Sequence, residues 1–270
     1  MIRIKYTISG DKSGAINASL ADTLQHDIAA EGCFEVVDAA PEIVHVFGPW
    51  SGGSASLIKK YKKKGVPVVF TSIHGMAQLL SSRGEGTTPM ATALAVRRIC
   101  ALCSVVHTCG PAEEQVVKAV CRRSNTVIIR NALLTSLTSQ SSMIDEFAAM
   151  YNKAYARHDE QTRKDIAARV GKATTDPAVA NICTHLMYLR HLYTAGCIPQ
   201  RVLDAAARDM TTTNYDEKEL AQVLETLKIL DFSAYCMTLL QRNASLTEGF
   251  MPIKAKTGRT ADNMQKMTVQ

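Results

Sequence analysis

No apolar run in this chain approaches the roughly 20 residues needed to cross a bilayer. The start, Met1-Ile-Arg-Ile-Lys-Tyr, also lacks the apolar core of a signal peptide, because Arg3 and Lys5 interrupt it. These two absences lead us to expect a cytoplasmic protein. No internal repeat is evident. Aromatic residues are scarce, at 6% of the chain with a single Trp. The one conspicuous basic run does not amount to the aromatic-interleaved basic surface of a nucleic-acid binder, so no nucleic-acid partner is expected. No Gly-Lys-Ser/Thr follows the opening glycines, which excludes a phosphate-cradling P-loop.

A disulfide framework is missing too. The eight Cys are scattered through apolar segments of a chain far longer than the usual stapled mini-domain. Cys100-x-x-Cys103 with His107 and Cys109 has zinc-like spacing. However, the first pair falls in an apolar helical run and the second on the next strand or its end. Structural zinc sites hold ligand pairs on tight knuckles. Buried free thiols, and no metal, are the expectation.

What remains is ordinary for a soluble globular protein: 46% hydrophobic, 21% charged, net charge +6. That charge permits contact with phosphate-bearing ligands or an anionic membrane surface without proving either. At 270 residues the chain is long enough for one large or two small domains.

The first half alternates two periodicities. β-branched runs at 2–8, 34–37, 43–47, 66–71, 105–108 and 126–129 read as strands. Helical patterns occupy 15–30, 54–64, 88–103 and 112–121. Pro89 falls in a first turn, Gly110-Pro111 turns the chain into the helix at 112–121, and Glu113 and Glu114 suit the dipole at its start. Such alternation predicts an α/β fold with a doubly wound parallel sheet over residues 1–140. The second half changes character. From Ser142 onward no strand is convincing, and 143–155, 161–170, 177–194, 199–207, 215–230 and 232–241 read as amphipathic helices. Asp176 ahead of Pro177 is one predicted cap, and Asn214 or Asp216 another. We therefore expect an all-helical domain over 141–245. The polar stretch 246–270 has few large apolar residues and is expected to be mobile.

Four pieces of the first half resemble a known family. Glu42-Ile-Val-His-Val-Phe-Gly48, Lys64-Gly-Val-Pro-Val-Val-Phe-Thr71 with His74-Gly75 after it, Cys103-Ser-Val-Val-His-Thr-Cys109 with Glu113-Glu114 beyond, and Thr126-Val-Ile-Ile-Arg-Asn131 occur in the order and spacing of the amino-terminal domain of the retaining family-4 glycosyltransferases. The likeness covers roughly residues 1–133. It implies a Rossmann-like domain and a hexosyltransferase type of activity, moving sugar from a nucleotide donor to a glycan or lipid-linked acceptor. No cofactor besides that donor is implied. It marks His74 as the catalytic-side residue, with Gly75 beside it. Gly10, Ser13 and Gly14 of the opening loop, then Gly48, Trp50, Gly75 and Glu114, are the candidate substrate-binding residues. Each has a plainer reading. Gly10, Ser13 and Gly14 also suit a simple strand-to-helix turn, Trp50 either stacks on a sugar or packs at a rim, and Glu114 also suits the helix dipole. His45, mid-strand between apolar neighbours, reads as a satisfied core histidine.

The sequence departs from the family in one large respect, since no second Rossmann pattern follows. Glu217 and Glu225 have the spacing of the family's glutamate pair but sit in a plain amphipathic helix. Two readings stay open: a transferase that draws its donor half from elsewhere, with a protein partner, or a non-catalytic binding module whose helical region engages a partner protein. Lys59, Lys60, Lys62, Lys63 and Lys64, at a helix carboxyl end, form either a solvated face or a weak contact for an anionic membrane, which would make the protein membrane-peripheral.

Overall fold

The computed structural model describes residues 1–10, 15–73 and 90–269. The chain divides into two compact units, Met1–His158 and Asp159–Gln270.

The first unit alternates strand and helix as expected. Its elements are β1 (Ile2–Ile8), α1 (Ala15–Ala30), β2 (Phe34–Val36), β3 (Ile43–Phe47), α2 (Gly52–Lys63), β4 (Val68–Thr71), α3 (Met90–Leu102), β5 (Val105–Thr108), α4 (Pro111–Val120) and β6 (Thr126–Ile128). The six strands form one parallel sheet in the order β2-β1-β3-β4-β5-β6. Every residue of β3, β4 and β5 is buried, as a sheet covered on both faces requires. Strand order reverses between β1 and β3, so their carboxyl ends flank a switch point.

Residues 143–170 form one helix where the sequence suggests two. α5 (Gln140–Val170) runs 31 residues unbroken. No Gly or Pro interrupts it, and Asp159–Arg163 and Glu160–Lys164 ion pairs, at 2.9 and 2.6 Å, brace its middle. Its early turns are apolar: Met143, Ile144, Phe147, Met150, Tyr151 and Ala154 share a core with Ile4, Leu20, Leu24 and Ile43. The boundary between units therefore falls inside this helix rather than near residue 140.

The second unit continues with α6 (Pro177–Ala195), β7 (Ile198–Pro199), α7 (Gln200–Thr212), α8 (Glu217–Thr226), α9 (Leu230–Ala244), a 3-10 turn (Glu248–Phe250), α10 (Arg259–Met267) and β8 (Thr268–Val269). Asp176 caps α6, accepting from Ala178 and Val179 N–H at 2.7 and 2.9 Å. Asp216, rather than Asn214, caps α8. Leu186, Leu203, Leu220, Leu239 and others form a core within this unit. Two findings differ from the sequence reading. The stretch after 245, expected to be mobile, contains α10, and Leu246, Ala261 and Met264 are buried. A short parallel pair also occurs in the helical half, with Ile198 opposite Thr268 and Pro199 opposite Val269. Two residues per strand leave no period-2 pattern to read. Among the described residues no helix is long and apolar enough to cross a membrane.

Candidate functional site

The parallel sheet presents its carboxyl edge as the default place for a ligand. At the switch point the loops after β1 and β3 are tied together. Ser9 N–H donates to Phe47 carbonyl at 2.7 Å, and Gly48 N–H to Thr71 carbonyl at 3.0 Å. Ser54 Oγ, fully buried, donates to Pro49 carbonyl at 2.7 Å and lies 3.1 Å from Ser9 Oγ. Gly48 is required by contact: a Cβ there would lie 2.8 Å from Ser9 carbonyl oxygen. Gly10 is required by conformation, with φ at +92°. Two predicted site residues, Gly10 and Gly48, thus meet in one frame. His74, Gly75, Ser13 and Gly14 lie outside the described residues.

Helix α2 begins at this frame. Ser51 is its N-cap and accepts Ser54 N–H at 3.3 Å. The first two helical N–H groups, Gly52 and Gly53, have no acceptor among the described residues. Such donors with the helix dipole behind them favour an anion. Three buried side-chain groups near the carboxyl ends of β3, β4 and β6 also have no partner among the described residues: Trp50 Nε1, Ser72 Oγ and Asn131 Nδ2. Arg130, just beyond β6, is exposed.

Two expected ligand contacts are placed differently. Trp50 is 2% exposed, its ring edge-on to Phe70 at 4.9 Å, so no face is open to stack on a sugar. The apolar ring is worth more packed behind the loop than in water. Glu114 points to the amino end of β6. It accepts from Lys118 Nζ at 2.7 Å and from Thr126 Oγ1 at 2.5 Å, which hold its carboxyl below the usual range. Its neighbour Glu113, which suits the first helical turn equally well, is the buried one. Glu113 Oε2 accepts Cys109 N–H at 2.6 Å, at the carboxyl end of β5. Burial raises its carboxyl to about 7, a value suited to proton transfer near neutral pH. A Glu at the third helical position that reaches back past the N-cap is a capping pattern, and that was the available signal. Burial, and then Glu113, push the Cys109 thiol up to about 12, so it is no nucleophile.

Behind the edge a row of polar side chains crosses the sheet on the face covered by α5. Ile129 carbonyl can only accept, so His107 carries its proton on Nε2, at 2.9 Å. His107 Nδ1 then accepts from the Thr71 hydroxyl at 2.9 Å. Thr71 Oγ1 in turn accepts from His45 Nε2–H at 2.7 Å, and His45 Nδ1 accepts from the Tyr151 hydroxyl at 2.6 Å. The register places Tyr6 opposite His45 and Thr71 opposite His107, which aligns the row. Burial, and then the repulsion that a protonated His107 would exert, keep His45 well below its usual range; burial takes His107 down to about 4. Both imidazoles are neutral with both nitrogens engaged, so neither is a free base or ligand. Among the described residues no group of three His, Cys, Asp or Glu could hold a metal ion.

The lysines at 59, 60, 62, 63 and 64 are exposed at the carboxyl end of α2, and Lys62 Nζ donates to Ala101 carbonyl at 2.9 Å. Comparison with protein-family models, with curated proteins and with solved structures finds no match for this chain.

Proposed function

We propose that the unit Met1–His158 binds a phosphate-bearing small molecule along the carboxyl edge of its sheet. By its likeness to the family-4 glycosyltransferases we take that molecule to be a sugar nucleotide. One observation carries the reading: among the described residues, donors without acceptors lie beyond the carboxyl ends of β3, β4 and β6, where open α/β sheets take ligands. They are the N–H groups of Gly52 and Gly53, Ser72 Oγ and Asn131 Nδ2. Phosphate oxygens only accept, so they complement such a row. Arg130 supplies an exposed cation at the same edge, able to meet charge that builds on a leaving diphosphate. In transfer, His74 would stand on the acceptor side, and Glu113 is a buried carboxyl that titrates near neutrality.

Titration calorimetry with UDP- and GDP-sugars tests this. Wild-type protein is expected to bind at least one donor, and Ser72→Ala with Asn131→Ala is expected to weaken that binding by about tenfold. Absence of binding by every donor, with or without co-purified partners, sinks the reading. Turnover lost in His74→Ala with donor binding kept would support transfer chemistry.

A second reading rests on the unit Asp159–Gln270. It is helical and has its own core, and it offers no second Rossmann-like sheet to complete a donor cleft. Under it the chain is a non-catalytic binding module with a helical protein-interaction region. Deleting the helical unit should then abolish capture of a partner protein while sugar-nucleotide binding persists. A truncated protein that retained every partner would count against it.

A further inference from the structure

Helix α5 does not cover its sheet face evenly. Tyr151 meets Tyr6 and Phe34, and Phe147 meets His45 and His107, so the early turns lie over the middle of the sheet. Toward the edge strand β6 a cavity of about 570 Å³ remains between β5, β6 and the helix. That size falls within the range of about 300–1,000 Å³ usual for small-molecule sites. Its floor is apolar. Val105, Ile129, Met150 and Ala154 are buried there, and Val127 is half-buried.

The cavity's charges are ordered along one stripe of the helix. Lys153 and Arg157, four residues apart, line it and are exposed. Neither has an ion-pair partner among the described residues, whereas the next two cations of the same helix, Arg163 and Lys164, are paired with Asp159 and Glu160. Glu146 lines the cavity seven residues before Lys153, about 10 Å along the axis. Three other polar groups of the lining are engaged. Asn125 Nδ2 donates to Ser104 carbonyl at 2.6 Å, Thr126 Oγ1 donates to Glu114, and the His158 ring bonds Gly65 carbonyl at 2.8 Å.

We propose that this cavity is a second small-molecule site, separate from the carboxyl edge, and that it takes an amphiphilic carboxylate of medium chain length. The apolar tail lies on Val105, Val127 and Ile129, where its burial drives binding. The carboxylate meets Lys153 and Arg157 at the mouth, where Arg can grip it through two parallel N–H donors. Glu146 repels an anionic head from the opposite end, which sets the ligand's direction. A cationic amphiphile would leave the two cations unmatched, and a neutral one would gain nothing from them.

Calorimetric titration of the full-length protein with decanoate, below its micelle concentration, tests the assignment, with decanol and decyltrimethylammonium as matched controls. Saturable binding is expected for decanoate, weaker binding for decanol and none for the cation. Lys153→Gln with Arg157→Gln, both on the surface, should weaken decanoate by about tenfold or more while leaving decanol nearly unchanged. Ala149→Trp, an exposed position on the cavity wall, should abolish binding of both, with circular dichroism confirming the fold. No saturable decanoate binding by wild-type protein overturns the proposal. So does unchanged affinity in the double variant, or equal affinity for the cationic control.

Discussion

The Tyr151 hydroxyl donates to His45 Nδ1 at 2.6 Å, joining helix α5 to the middle of the sheet across 106 residues of chain. Both side chains are fully buried. The bond determines how the helix sits on the sheet, because an apolar contact alone would tolerate sliding by a turn, whereas a buried imidazole nitrogen left alone would not.

Removing this hydroxyl should therefore cost more than an average hydrogen bond. Tyr151→Phe leaves His45 Nδ1 without its donor while keeping the ring contacts with Phe34 and Phe147. We expect a loss of about 1–3 kcal/mol in urea unfolding, with the m-value unchanged. A loss below about 0.5 kcal/mol would mean that the row across the sheet does not act as a connected network.

Acid should destabilise the protein from neutral pH downward. His45 and His107 are neutral when folded, and His107 falls from an ordinary value of 6.5 to about 4. Their contribution is complete above about pH 6.5 and is lost as the pH falls through the folded values, since the unfolded chain then binds more protons. For His107 alone the shift corresponds to about 3 kcal/mol. Unfolding midpoints measured from pH 7.5 to 4.5 check this, and a flat profile would contradict it.

Glu113 works in the opposite sense. Its carboxyl rises from 4.5 to about 7 on folding, so its contribution is complete below 4.5 and lost as the pH rises through 7. Glu113→Gln keeps an acceptor for Cys109 N–H but cannot ionise. The variant is expected to match wild type at pH 4.5 and to exceed it at pH 8, by up to about 3 kcal/mol. It should also steepen the acid loss caused by the histidines.

Gly48→Ala should be costly for a methyl group. The added Cβ would meet Ser9 carbonyl oxygen at 2.8 Å and Ser9 Cβ at 3.0 Å, both held by the β1–β3 pairing. A loss of about 1–3 kcal/mol in thermal or urea unfolding is expected from the enforced backbone shift. Gly52→Ala, where nothing lies within 4 Å, is the matched control and should change stability little.

In the helical unit, Asp176→Ala should cost about 1 kcal/mol. It removes the acceptor shared by Ala178 and Val179 N–H at the start of α6. Asp176→Asn, which can still accept, should recover most of that loss in the same unfolding measurement.

The architecture of the first unit was legible because its signals are local. β-Branched runs bounded by Gly and Pro yielded β3 and β5 with their observed bounds, and Asp176 ahead of Pro177 marked a helix start that the backbone obeys. His45 was readable as a core histidine from its apolar neighbours, but its partners Tyr151 and Thr71 were not, because they come from distant segments. The same distance explains the difference between Glu113 and Glu114. Both suit a first helical turn, and only the packing of α4 against β5 and β6 buries one and turns the other to Thr126.

Periodicity and breakers act over a few residues, and they suffice for the alternation of strand and helix, the parallel sheet and the switch to helices in the second half. The rest depends on tertiary structure. It fused two predicted helices into α5, whose early turns are apolar enough to join the sheet's core and whose middle is held by ion pairs. It gave structure to the polar tail because Leu246, Ala261 and Met264, few but well placed, find a core to enter. It also left a cavity beside β6, with Lys153 and Arg157 at its mouth, neither in an ion pair among the described residues. Burial depends on what arrives from elsewhere in the chain, and no window of local sequence contains that information.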